Sequence, residues 1–195
     1  MKYPLVELLR SFFCNHSMEK YMKRFIAFIA MALLPFAAAA HGPSPQKVEK
    51  SVTIKAEPAK VWALVKDFGN MQKWHPAITN TKLEKKGEDT FRTLTLKDGG
   101  TIYEKLRSID DQGMQLKYEI VEGALPVADY YSVMTVKPGP AAGETTVTWM
   151  GRFYRVYKLN PPIPAGQDDE SALKAVNGVY DAGLANLKKV AEGQK

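Results

Sequence analysis

From Thr79 to Tyr157 the chain repeats one pattern, short stretches that alternate apolar with polar residues, each closed by a turn signal. The signals fall at Lys86-Gly87, Asp98-Gly99-Gly100, Asp110-Asp111-Gln112-Gly113 and Pro138-Gly139-Pro140, where glycine supplies positive φ and Asp or Pro starts a reversal. Period two predicts strands near 79–86, 90–97, 101–109, 114–122, 128–137 and 144–156. Parallel neighbours would need crossovers of about a dozen residues, and these gaps are shorter. The strands must therefore run antiparallel, as a meander.

What flanks the meander decides how it is covered. Ser51 to Ala56 alternates and is β-branched, so it reads as one more strand after a polar lead through Lys50. Pro58 then stands where helices start, and Val61, Trp62, Leu64, Val65 and Phe68 form the apolar face of a helix of about three turns. Met71 to His75 adds another turn before Pro76. At the other end Asp168, Asp169 and Glu170 open a segment in which Leu173, Val176, Tyr180, Leu184, Leu187 and Ala191 recur every three or four residues, with Lys188 and Lys189 near its close. Acids first and bases last match the helix dipole, so this is a long amphipathic helix. Its apolar face needs the concave side of the sheet. The expected fold is α+β, a curved antiparallel sheet of about seven strands wrapped around a long C-terminal helix.

Charge and composition exclude several classes. The net charge of +6 suggests a nucleic-acid partner, but residues 1–40 hold five of the 27 bases and two of the 21 acids. Only three excess bases remain on the rest, too few and too interleaved with acids for a phosphate footprint. The single cysteine, Cys14, excludes an intramolecular disulfide, and His16, His41 and His75 lack ligand-like spacing. Neither a metal nor a cofactor is expected.

Residues 1–40 read as a leader. Lys23-Arg24, an apolar run from Phe25 to Ala40 and the small pair Ala38 and Ala40 are the three parts of a secretory signal, complete from Met22. The run is shorter than the ~20 residues of a membrane span and contains Pro35, so no permanent anchor is expected. Cleavage after Ala40 would leave residues 41–195 as one periplasmic domain starting at His41.

Three stretches carry a family resemblance. Glu57-Pro58-Ala59-Lys60-Val61-Trp62-Ala63-Leu64-Val65-Lys66-Asp67-Phe68 followed by Trp74-His75-Pro76, then Glu122 to Ser132, then Thr146-Val147-Thr148-Trp149 resemble words of the START-like or SRPBCC superfamily, in its bacterial polyketide cyclase/dehydrase-type branch. The resemblance covers roughly residues 45–193. With the export signal, the chain is most similar to periplasmic MxaD-type proteins of methanol-oxidation systems. The resemblance implies a helix-grip fold with a cavity between sheet and helix that takes apolar or amphipathic ligands. It does not imply one activity, since a fold hosts many functions.

Alternation then nominates site residues. Ile102, Glu104 and Leu106 share an inward face while Tyr103, Lys105 and Arg107 point out. Glu104 is either a polar anchor or acid-base group in the cavity, or a rim carboxylate that reaches water. Glu104→Gln is expected to weaken a bound ligand and leave the fold intact. Tyr130 and Ser132 share a face with Met134 and Val136, and their hydroxyls either meet a ligand or only satisfy the fold. Similar positions in plant abscisic-acid receptors face a ligand, but the lysine that meets its carboxylate there is replaced by Thr79. Trp149 lines the pocket or fills the core beside Gly151, and Tyr118 and Tyr180 complete the candidate set. Trp74, His75, Leu125 and Pro126 are the candidates for the cavity mouth, with the imidazole at the surface or lining that mouth. The expected function is a non-enzymatic MxaD-like assistant of periplasmic methanol dehydrogenase and its cytochrome. A carrier of a small hydrophobic ligand is the alternative, and a cyclase or dehydratase using Glu104 with Tyr130 the third.

Overall fold

The structure is a computed structural model and describes residues 42–194. The predicted leader, its cleavage point after Ala40, and His41 lie outside the described residues. Seven strands form one antiparallel sheet: β1 (Gln46–Ile54), β2 (Ile78–Lys86), β3 (Asp89–Leu96), β4 (Thr101–Asp110), β5 (Gln115–Gly123), β6 (Val127–Pro138) and β7 (Thr145–Arg155). Their order is β1-β7-β6-β5-β4-β3-β2, so the six meander strands pair with their chain neighbours and β1 closes against the last of them. Helix α1 (Pro58–Val65) and a 3-10 turn at Met71–Lys73 fill the link from β1 to β2, and α2 (Asp169–Glu192) ends the fold. This is the α+β helix-grip architecture.

Two boundaries differ from the sequence expectation. β1 starts at Gln46 because Gln46–Ile54 pairs residue for residue with β7, from Gln46↔Phe153 to Ile54↔Thr145. The ladder satisfies the backbone of the polar lead whatever its side chains are. α1 has eight residues, nearer two turns than three, and ends where Lys66 N–H donates to Trp62 O at 2.8 Å. Phe68 is buried from the loop beyond it.

α2 is built as its sequence requires. Asp168 caps it by accepting from Ser171 N–H at 2.7 Å, Asp169 and Glu170 lie in the first turn, and Gly193 closes it at φ 75°. Ala172, Val176, Tyr180, Gly183, Leu184, Leu187 and Ala191 form the buried stripe that packs on β1 and β7. At Gly183 the helix backbone lies close against the aromatic centre. A Cβ there would lie 2.7 Å from His75 Cδ2 and 2.8 Å from Trp149 Cζ3.

Bulges aim the strands. Between the pairs Tyr103↔Glu122 and Glu104↔Ile120, Val121 is the extra residue of β5 and stands exposed. In β6 the register breaks between Ala128 and Tyr131, with Asp129 at φ 50°. That break lets Val127 and Tyr130 both face the core despite their odd separation. Among the described residues, no helix is long and apolar enough to cross a membrane.

Candidate functional site

A cavity of about 330 Å³ lies between the sheet and α2. Leu94 and Leu96 of β3, Ile102 and Glu104 of β4, Tyr118 and Ile120 of β5, Tyr130 of β6 and Trp149 of β7 form its sheet side. Val179 of α2, Met71, His75, Ala77, Ile78 and Leu125 complete the wall. The cavity extends to exposed Lys97 and Asp98 in the β3–β4 turn, which marks its mouth. The volume lies at the small end of the range for small-molecule sites, and few polar groups punctuate an apolar wall, as in sites that orient ligands.

Glu104 is the carboxylate on that wall and is 4% exposed. Antiparallel pairing sets Arg92 of β3 directly opposite it, and Arg92 Nε donates to Glu104 Oε2 at 2.5 Å. Arg92 Nη1 donates to Phe68 O at 3.0 Å, and the guanidinium lies 4.0 Å from the Phe68 ring centre and 5.2 Å from that of Tyr118. Burial pushes the Glu104 carboxyl above the usual carboxylate range, while the Arg92 charge and hydrogen bond pull it down. At neutral pH we assign the pair as ionic, because a protonated Glu104 would strand a buried guanidinium charge.

A hydroxyl network backs the wall. Trp149 Nε1–H donates to Ser132 Oγ at 2.9 Å and to Tyr118 Oη at 3.0 Å, and Ser132 Oγ–H donates to Met150 O at 3.0 Å. Tyr130 and Tyr180 share a hydrogen bond of 2.5 Å between their hydroxyls, and Tyr180 stacks on Trp149 at 4.2 Å. Burial pushes the Tyr118 phenol up to about 12, and Tyr130 and Tyr180 are raised as well, mainly by the same desolvation. All three are therefore neutral O–H groups at physiological pH. Gly151 makes room for the Tyr180 hydroxyl, since a Cβ there would collide with it.

His75 is only 2% exposed and stands on the cavity wall, so of the two positions expected for it, surface or mouth lining, the surface one is corrected. Its Nδ1 accepts from Ala77 N–H at 3.2 Å and its Nε2–H donates to Val179 O at 3.1 Å, which assigns the neutral Nε2–H tautomer. Burial lowers its pKa to about 4, the Val179 carbonyl opposes this, and the Arg92 charge adds to it. Both ring nitrogens are used within the fold.

The structure brings the candidates together unevenly. Glu104, Tyr118, Tyr130, Trp149, His75 and Leu125 stand on the wall. Ser132 and Tyr180 are buried behind it and hold Trp149 and Tyr130 in place. Trp74 is not a mouth residue: it is 3% exposed in the core, edge-on to Trp149 with ring centres 5.8 Å apart. Pro126 is half-buried beside Leu125 and is off the wall. Thr79 also lies off the wall, exposed, with its hydroxyl donating to Thr95 O at 3.1 Å. Among the described residues, no cluster of three or more His, Cys, Asp or Glu could hold a metal ion.

Residues 45–192 match the family described as polyketide cyclase / dehydrase and lipid transport. The chain belongs to this family. The abscisic acid receptor PYL7 of Arabidopsis thaliana is 27% identical over 143 residues, which is 71% of this chain and 65% of the receptor, just under two thirds of its length. The solved structure of XoxI from Bacillus cereus is 30% identical, covers 74% of this chain and 94% of its own, and superposes with a TM-score of 0.65. The Zhui aromatase/cyclase of Streptomyces sp. R1128 is similar in fold alone, at 17% identity and a TM-score of 0.61 over 76% of this chain and 94% of its own.

Leu94, Leu96, Ile120 and Val179 of the wall were not among the sequence candidates, and neither was Arg92, the partner of Glu104. The signal was present in the β3–β4 hairpin: with the reversal at Asp98, the pairs Thr95↔Thr101 and Leu94↔Ile102 lead two residues further to Arg92↔Glu104. Alternation assigned a face to Glu104, and the register of the turn assigns its partner.

Proposed function

We propose that the domain binds a small, mostly apolar molecule in the cavity between sheet and α2. The observation that carries this reading is the apolar enclosure of about 330 Å³ with a carboxylate, Glu104, at one place on its wall. The family's description includes lipid transport, and one relative is an abscisic acid receptor, which supports a binding role for the fold. The domain acts after export, with His41 as its first residue. Native mass spectrometry of the periplasmic fraction tests location and binding together. The expected spectrum holds a chain beginning at His41 with a noncovalent small-molecule adduct, and Ile102→Trp, which fills the cavity, should remove the adduct. A bare mass in every preparation, unmoved by apolar extracts, would sink the reading.

The likeness to XoxI at 30% identity and the MxaD-type words in the sequence favour a second reading, contact with periplasmic methanol dehydrogenase and its cytochrome. A transient contact of that kind buries less than ~1,200 Å² and weakens with salt. Pull-downs at low and high ionic strength should then recover either protein only at low salt. Recovery of neither at low salt removes this reading and leaves the ligand-binding one.

A further inference from the structure

We infer that the cavity selects neutral, hydroxyl-bearing apolar molecules and rejects carboxylic acids, an inference that rests on the ligand-binding reading above. The reason is the order in which the charges are layered. Arg92 lies behind Glu104 and off the cavity wall, with its Nε spent on Glu104 and its Nη1 on Phe68 O. A ligand therefore meets the carboxylate and not the guanidinium. Glu104 Oε2 takes the Arg92 bond, and Oε1 has no partner among the described residues, which leaves it as an acceptor for the cavity.

The other polar groups on the wall do not offset this preference. His75 has both nitrogens engaged, by Ala77 and Val179. The Trp149 N–H is given to Ser132 and Tyr118, and the Tyr130 hydroxyl is paired with Tyr180; Tyr118 accepts from Trp149 and keeps its own O–H, a neutral donor that serves an alcohol oxygen as readily as a carboxylate. Lys97 is a cation on the wall, but it is exposed at the mouth beside Asp98. A carboxylate driven to the inner end would leave water to face another carboxylate, with Arg92 on the far side of that carboxylate and Lys97 out at the mouth. An ammonium would meet Glu104 but feel the Arg92 charge directly behind, so the neutral pair returns little for its lost hydration. An alcohol gives up least and supplies the donor that Oε1 lacks. At roughly 30 Å³ for each water-sized group, the volume suits about ten to fifteen non-hydrogen atoms.

Three probes with one body and different heads test this: 1-decanol, decylamine and decanoate, titrated at neutral pH below their aggregation limits and followed by Trp fluorescence and thermal shift. Decanol should bind about ten- to a hundred-fold more tightly than decanoate, the loss expected for one hydrogen bond to a charged group, and also more tightly than decylamine. Decanoate or decylamine binding as well as decanol would overturn the head-group inference while leaving the ligand-binding reading in place. Failure of all three would overturn both. The double variant Arg92→Met/Glu104→Gln removes the layered charges together, and in it decanol and decanoate should bind within about threefold of each other. Full discrimination persisting in that variant would also overturn the inference.

Discussion

Arg92→Met is expected to lower the unfolding free energy of the domain by about 3–5 kcal/mol, because it leaves the Glu104 charge buried without its partner. Both side chains are nearly inaccessible, 3% for Arg92 and 5% for Glu104, so solvent screening gives little relief. Such a loss is a large share of the ~5–15 kcal/mol that holds an ordinary domain together. Glu104→Gln leaves the opposite charge stranded and should also be costly, which corrects the expectation that it spares the fold. The double variant Arg92→Met/Glu104→Gln should recover most of the loss, since removing both charges also removes their desolvation. Equilibrium denaturation of the four proteins, read as a double-mutant cycle, measures the coupling. A loss below about 1 kcal/mol for Arg92→Met would mean that the pair behaves as a surface one. The same cycle separates stability from selectivity, because the double variant is the protein in which the head-group preference should vanish.

Acidification should remove about 3 kcal/mol of stability between pH 6.5 and pH 4, through His75. In the unfolded chain this imidazole takes up its proton near 6.5, whereas in the fold burial keeps it neutral down to about 4. The unfolded state therefore binds more protons throughout that window. Its contribution is fully present above pH 6.5, falls as the pH drops, and levels off below about 4. Protonation would also take Nδ1 away from Ala77 N–H and so loosen the entry to β2. Asp111, Asp168 and Glu192 are held below the usual carboxylate range by their hydrogen bonds, so their share is lost at lower pH. Glu104, raised by burial, runs the other way. The slope that belongs to His75 is thus the difference between the wild type and His75→Gln, each unfolded in urea across the window. His75→Gln should start less stable and lose the slope, and an unchanged slope would remove His75 from the account.

Sequence alone determined the six meander strands and their antiparallel order, the terminal helix and most of its buried stripe, because those follow from period, turn chemistry and capping within short stretches. It also put Glu104 on the inner face, since alternation needs only the neighbours Ile102 and Leu106. Tertiary structure decided what lies across from each side chain and how deep it sits. Alternation says that Trp149 and Tyr130 point inward, but the approach of α2 over Gly183 and Gly151 places Tyr180 and Ser132 behind them rather than on the cavity wall. Trp74 and His75 follow a 3-10 turn with no period to read. The packing of Trp149 and α2 against them made one a core residue and the other a wall residue with both nitrogens engaged. The pairing of Glu104 with Arg92 lies between the two cases. It was legible from the hairpin register, but the ionic character of the pair depends on both groups being buried together, which only the closed fold enforces.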